Sequence, residues 1–269
     1  MSNREYGLGL ARAFGGAIVF AFPLLMTMEM WWLGFYMDRL RLALFLLLSL
    51  PLLVGLSFYA GFEDTFRWRD DVMEALSAYA VAFIAVAMVL LLMSVITPEQ
   101  TWREIVGKIT LSVVPASMGA TLARSQLGGS KSSQSERRER QASYPGELFL
   151  MIAGAVFVAF NVAPTEEMIL IAYMSTGWHM LALAAFSLLI LHAFVYTVGF
   201  GGQEDYPGSF WSVLLRFTVV GYAIALLVSL YVLWTFGRTD GVGLFGIVEM
   251  TVVLGFPAAL GAALARLVL

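Results

Sequence analysis

Long apolar runs separated by short polar clusters set the pattern of this chain. Polar clusters fall at Asp38-Arg39-Leu40-Arg41, Glu63–Asp71, Thr97–Gln100, Gly128–Gly146, Gly202–Gly208 and Arg238–Asp240. A membrane-crossing helix needs about 20 consecutive apolar residues. Runs of that order occupy residues 11–37, 42–62, 72–96, 102–124, 147–173, 178–201, 209–236 and the stretch from there to residue 269. The pattern predicts an all-α integral membrane protein of eight transmembrane helices, with both termini on one side. Thr97-Pro98-Glu99-Gln100 reads as the start signal of the fourth helix, with a capping threonine, a proline suited to the first turn and a glutamine three residues on.

The apolar runs are not independent of one another. An offset of 138 (154 − 16) carries Gly16 onto Gly154, Phe22 onto Phe160, Thr27 onto Thr165, Glu29 onto Glu167, Met30 onto Met168 and Gly61 onto Gly199. Glu63-Asp64 answers Glu204-Asp205 at 141, and Pro115 through Arg124 answers Pro257 through Arg266 at 142. Apolar sequences match by chance at Leu, Ala and Val, not at Glu, Thr and Pro in one order. The expected architecture is two tandem four-helix repeats, residues 1–124 and 147–269, joined by a hydrophilic cytoplasmic linker at 125–146. Four is even, so both copies enter the membrane in the same sense, related by a pseudo-two-fold axis along the membrane normal.

Each copy places Thr-x-Glu-Met in its first span, close to a proline: Pro23, Thr27 and Glu29 in one, Pro164, Thr165, Glu166 and Glu167 in the other. A carboxylate within a bilayer costs about 2.5–3.5 kcal/mol on insertion scales, and such residues are read as functional by default. Proline removes a backbone donor, and a broken helix survives in a membrane only against protein or water. Freed carbonyls, a hydroxyl and a carboxylate are hard oxygen ligands, suited to a cation or a proton. The competing reading is a kinked helix whose glutamate bonds a neighbour or sits at the outer interface. Glu249 lies in the last span, where the first copy has Gly107, and joins Thr27, Glu29, Thr165, Glu166 and Glu167 as a candidate ion-binding residue.

Small residues at helical spacing, Ala116, Gly119, Ala120 and Ala123 and their echo Ala258, Gly261, Ala262 and Ala265, predict close helix packing at Gly119 and Gly261. Met26, Met28 and Met30 resemble a soft-metal set, but one helix turns Met28 away from the other two, so core or lipid-facing methionines are expected. Which metal, if any, is left unassigned. His179, near the outer end of the sixth span, is a proton-sensing candidate. Trp31, Trp32, Trp68, Trp178 and Trp211 sit near span ends as interface anchors.

Composition agrees with the pattern: 60% of residues are hydrophobic and 13% charged, against about 25% charged in soluble domains. A net charge of −3 gives no basic footprint for nucleic acid, and the absence of cysteine excludes disulfides and thiolate sites. Of the 16 Lys and Arg, only Arg39, Arg41, Arg103, Lys108 and Arg238 fall on one side, which places the termini and the linker in the cytoplasm.

The stretches FPLLMTMEMWWLGF and VAPTEEMILIAYM resemble an uncharacterised family of bacterial integral membrane proteins. The resemblance covers most of the chain and implies a bacterial inner membrane, but no activity, cofactor, ligand or site residue.

The expected function is membrane transport, as a cation- or proton-coupled channel or carrier using paired intramembrane glutamates. A non-transporting sensor or partner subunit and a membrane-embedded lipid-acting enzyme are the alternatives. An enzyme is not expected, because the sequence offers carboxylates without a nucleophile or a metal set, and no cofactor is expected. The partners implied are the lipid bilayer and a transported cation or proton, without nucleic acid, and a homo-oligomer is left open. Glu166, Glu249 and His179 occur only in the second copy, so Glu167→Gln is expected to damage function more than Glu29→Gln.

Overall fold

The computed structural model describes residues 3–60, 68–126, 144–198 and 210–268. All regular elements among them are helices, and eight of these are long and apolar enough to cross a membrane. The chain divides into two compact units, Met1–Arg137 and Arg138–Leu269.

The first unit contains α1 (Asn3–Leu25), α2 (Met28–Tyr36), α3 (Arg39–Ala60), α4 (Trp68–Leu92) and α5 (Trp102–Gln126). The run at 11–37, expected as one span, is two helices, because the chain leaves helical geometry at Thr27 with φ −94° and ψ 117°. Pro23 lies inside α1 and does not end it. α5 packs against all four other helices and is buried at every position from 111 to 122. The contact is made by alanines one turn apart: Ala13, Ala17 and Ala21 on α1, Ala78 and Ala82 on α4, Ala116 and Ala120 on α5. Such faces let helix backbones approach where lipid provides no hydrophobic drive between helices.

The fourth span starts later than its expected signal. Thr101 precedes α5, and its N–H donates to the Glu104 carboxylate at 3.1 Å, so the capping box is Thr101 to Glu104. Gln100 instead donates its amide to the Val95 carbonyl at 3.0 Å.

The second unit contains α6 (Tyr144–Val162), α7 (Glu166–Met174), α8 (Gly177–Val198), α9 (Phe210–Val213), a π-helical turn (Leu214–Val219), α10 (Val220–Thr235) and α11 (Leu244–Val268). The run at 147–173 is again two helices, broken ahead of Thr165. α11 packs against α6, α7, α8 and α10.

Element bounds correspond between the units. α7 begins and ends 138 residues after α2 (166 − 28, 174 − 36), α8 begins 138 after α3 (177 − 39), and α11 begins 142 after α5 (244 − 102). The third span ends at an offset of 143 (235 − 92), the offset at which Trp211 answers Trp68 and Tyr222 answers Tyr79, and in the second unit it contains the π-helical turn. Both third spans finish in the same motif. The Val95 and Arg238 N–H groups reach back to the Leu90 and Leu233 carbonyls, each at 2.9 Å. The preceding residue is left-handed, Ser94 at φ 57° and Gly237 at φ 72°. Ser49 meets the Tyr79 hydroxyl at 3.3 Å in the first unit, and Ser187 lies beside Tyr222 in the second.

Candidate functional site

The two helix breaks are built by the same residue. Thr27 and Thr165 are extended and precede α2 and α7. Their hydroxyls do not cap the helix ahead but donate backwards, Thr27 to the Pro23 carbonyl at 2.6 Å and Thr165 to the Val162 carbonyl at 2.8 Å. Their N–H groups reach the Leu24 and Val162 carbonyls at 3.0 and 3.1 Å. Pro23 and Pro164 are therefore not equivalent: Pro23 sits within α1, while Pro164 lies in the break itself.

Further carbonyls at the breaks find donors in the protein. In the first unit the Trp31 indole donates to the Leu25 carbonyl at 2.8 Å, and the Met26 N–H to the Phe22 carbonyl at 3.2 Å. In the second unit the Arg238 guanidinium donates to the Pro164 carbonyl. Irregular backbone in a bilayer is stable only when its polar groups are satisfied, and here Thr, Trp and Arg side chains reach carbonyls at both breaks.

Glu29 is half-buried and is the second residue of α2; Glu166 and Glu167 are exposed and open α7. The candidate spanning helices end at Leu25 and Val162, and all three glutamates follow the breaks, in the first turn of a nine-residue helix. Carboxylates there interact favourably with the unpaired N–H groups and dipole of the helix N-terminus. The packed face of α7 is Met168 and Ala172, and that of α2 is Met30 and Leu33. Met26 and Met28 are exposed while Met30 is buried, so the three sulfurs do not share a face. Among the described residues no three His, Cys, Asp or Glu side chains are placed to hold a metal ion.

Glu249 stands apart from the other candidates. It is 9% exposed, lies within the Leu244–Ala265 span, and occupies the position of Gly107 at the offset of 142. Gly119 and Gly261 lie at backbone crossings: a Cβ on Gly119 would come within 2.6 Å of the Gly16 carbonyl oxygen, and one on Gly261 would collide with that of Gly154.

Several polar groups had escaped the sequence. Asp71, Glu74, Lys108 and Glu147 are all buried. Ser57 donates to the Glu74 carboxylate at 2.6 Å. The Lys108 ammonium donates to the Val95 carbonyl at 2.8 Å and sits 5.0 Å from the centre of the Phe35 ring. His192 Nδ1 and the Thr218 hydroxyl are 2.8 Å apart, joining α8 to the π-helical turn. The only available signal was spacing, three residues from Asp71 to Glu74 at the start of an apolar run. His179 is exposed and accepts the Thr176 N–H at 3.2 Å, which closes the first turn of α8. Trp32, Trp68, Trp178 and Trp211 are exposed. Glu63-Asp64, Glu204-Asp205 and the Arg137–Arg140 cluster lie outside the described residues.

This combination of apolar spans, sealed breaks and buried span polar groups defines a multi-pass integral membrane protein. The chain matches the family described as "Putative integral membrane protein (DUF2391)" over residues 9–269, and it belongs to that family. Comparison with curated proteins and with solved structures found no match.

Proposed function

We propose that the chain is a membrane transport protein for a cation or a proton, made of two tandem copies of a four-span unit that enter the bilayer in the same sense. The observation that carries this reading is the correspondence of helix bounds at 138 and 142 residues, together with Thr-built breaks followed by acidic helix starts in both units. Parallel duplication of a helical unit is a recurrent construction in transporters. Glu29, Glu166 and Glu167 then act at the outer mouth, where fixed negative charge raises the local concentration of cations. The placement of Lys and Arg puts the termini and the 125–146 linker on the cytoplasmic side of a bacterial inner membrane. No enzymatic step and no cofactor is part of this proposal.

The sealed breaks favour one second reading. With the span-end carbonyls taken by Thr27, Trp31, Thr165 and Arg238, the same architecture suits a non-transporting partner subunit. Flux of protons and monovalent cations into proteoliposomes separates the two. Wild-type flux that falls in the Glu29→Gln/Glu167→Gln double variant supports the acidic mouths. Flux unchanged in the double variant removes them from the mechanism, and no flux for any ion favours the partner subunit.

A further inference from the structure

We infer that Glu249 is a proton-binding carboxyl group inside the membrane, the coupling site of the second unit; this deepens the transport reading and rests on it. Glu249 is the sixth residue of α11, about 8 Å along the helix from its start at 1.5 Å per residue. It is more than nine-tenths buried there.

Comparison of the units shows what this carboxyl displaces. In the first unit α5 and α2 touch through glycine: a Cβ on Gly107 would run into the Gly34 carbonyl. The offsets of 142 and 138 put Glu249 and Ala172 at those places. A glutamate cannot occupy a backbone contact, so α7 and α11 cannot meet at this point as α2 and α5 do. The second unit gives up this glycine contact and holds an acid in its place. Gly246, one turn nearer the helix start, faces the Tyr173 ring of α7.

Among the described residues nothing pairs with this group. Glu249 makes no hydrogen bond or ion pair with a described residue. None of the titratable groups described on the helices packed around α11 is bonded to Glu249. Glu166 and Glu167 are on the exposed side of α7, Glu147 is at the opposite end of α6, and Asp240 is in the exposed turn before α11. On α8 His179 is engaged with Thr176 and His192 with Thr218; on α10 Tyr222 lies beside Ser187 and Tyr231 beside Thr235, their hydroxyls buried without a hydrogen-bond partner. Arg238 is bonded to Pro164.

The arrangement selects the ligand. Calcium takes six to eight oxygens and magnesium an octahedral set, and among the described residues no group of three ligating side chains exists. A lone carboxyl in an apolar span meets the requirement of a proton, which needs one oxygen and removes the charge that makes the span costly.

The test is infrared difference spectroscopy of the full chain in lipid vesicles, titrated from neutral to acid pH, alongside acid-driven proton flux in the same vesicles. We expect a carboxylic C=O band that grows with acid in the wild type, is lost in Glu249→Gln, is shifted in Glu249→Asp, and persists in Glu29→Gln and Glu167→Gln. Proton flux is lost with the band in Glu249→Gln. A band unchanged in both Glu249 variants overturns the proton site, and should Glu249→Gln fail to fold, the Glu249→Asp spectrum decides alone. Wild-type vesicles with the band but without flux of any ion would overturn the transport reading and leave the proton site standing.

Discussion

The guanidinium of Arg238 donates to the carbonyl of Pro164, 74 residues earlier in the chain. The loop ahead of α11 is thereby fastened to the break between α6 and α7. Its Nε is buried without a hydrogen-bond partner, so the side chain is committed to a single carbonyl. Arg238→Met keeps an apolar stem of similar reach and leaves that carbonyl unpaired, at a cost of about 1–3 kcal/mol. The expected result is a lower midpoint of thermal unfolding in detergent. An unchanged midpoint would mean that solvent replaces the guanidinium.

Trp31 has the equivalent task in the first unit, through its indole N–H and the Leu25 carbonyl. Trp31→Phe preserves most of the ring and deletes the donor. The same assay should show a loss of about 1–3 kcal/mol, while Trp32→Phe, at an exposed site, should leave the midpoint in place.

The glycine crossings predict a sharp contrast between substitutions of one kind. Gly261→Ala puts a methyl group against the Gly154 backbone, and overpacking of this sort costs about 1–3 kcal/mol. Gly177→Ala, with open space around it, should gain up to about 1 kcal/mol from helix propensity. Equal midpoints for the two variants would remove the close crossing.

Membrane sidedness is directly testable because the chain has no cysteine of its own. A single cysteine at Ser132 in the linker should react with an impermeant maleimide only after inner-membrane vesicles are inverted. One at Glu99 should react from the periplasmic face of intact spheroplasts. The opposite labelling pattern would reverse the orientation.

Glu29 and Glu167 open short helices, where a carboxylate is worth about 0.3–1 kcal/mol. Glu29→Gln and Glu167→Gln should therefore change the unfolding midpoint little, and Glu29→Lys more. A fall in midpoint in Glu167→Gln as large as that in Arg238→Met would show a structural contact for this carboxylate.

The spans were legible because charged clusters such as Asp38–Arg41 punctuate the apolar runs, and Asp38 does cap α3 through the N–H groups of Leu40 and Arg41. The separate helices α2 and α7 were not legible. Their breaks are made by a threonine hydroxyl folding back on its own chain inside an apolar run, where a nearby proline is the stronger sequence signal. The box at Thr97–Gln100 lost to Thr101–Glu104, an equally good pattern without the proline. Trp31 and Arg238 read as an interface anchor and a turn marker, since the carbonyls they satisfy exist only once the chain has folded. Ser94 hides a left-handed residue that its counterpart Gly237 advertises. Of the candidate site, the substitution of glutamate for Gly107 was visible from the offset alone, whereas the burial of Glu249 was not.

The π-helical turn at Leu214–Val219 gives the second unit something that α4, an ordinary α-helix from Trp68 to Leu92, does not have. Such a turn widens the helix locally, and downstream of it Tyr222 still stands beside Ser187 as Tyr79 stands beside Ser49. It is there that Thr218 meets His192, a pairing for which the first unit, with Val54 and Ala75 at the matching places, has no materials. The widened turn is a private chemistry, available to one unit and closed to the other.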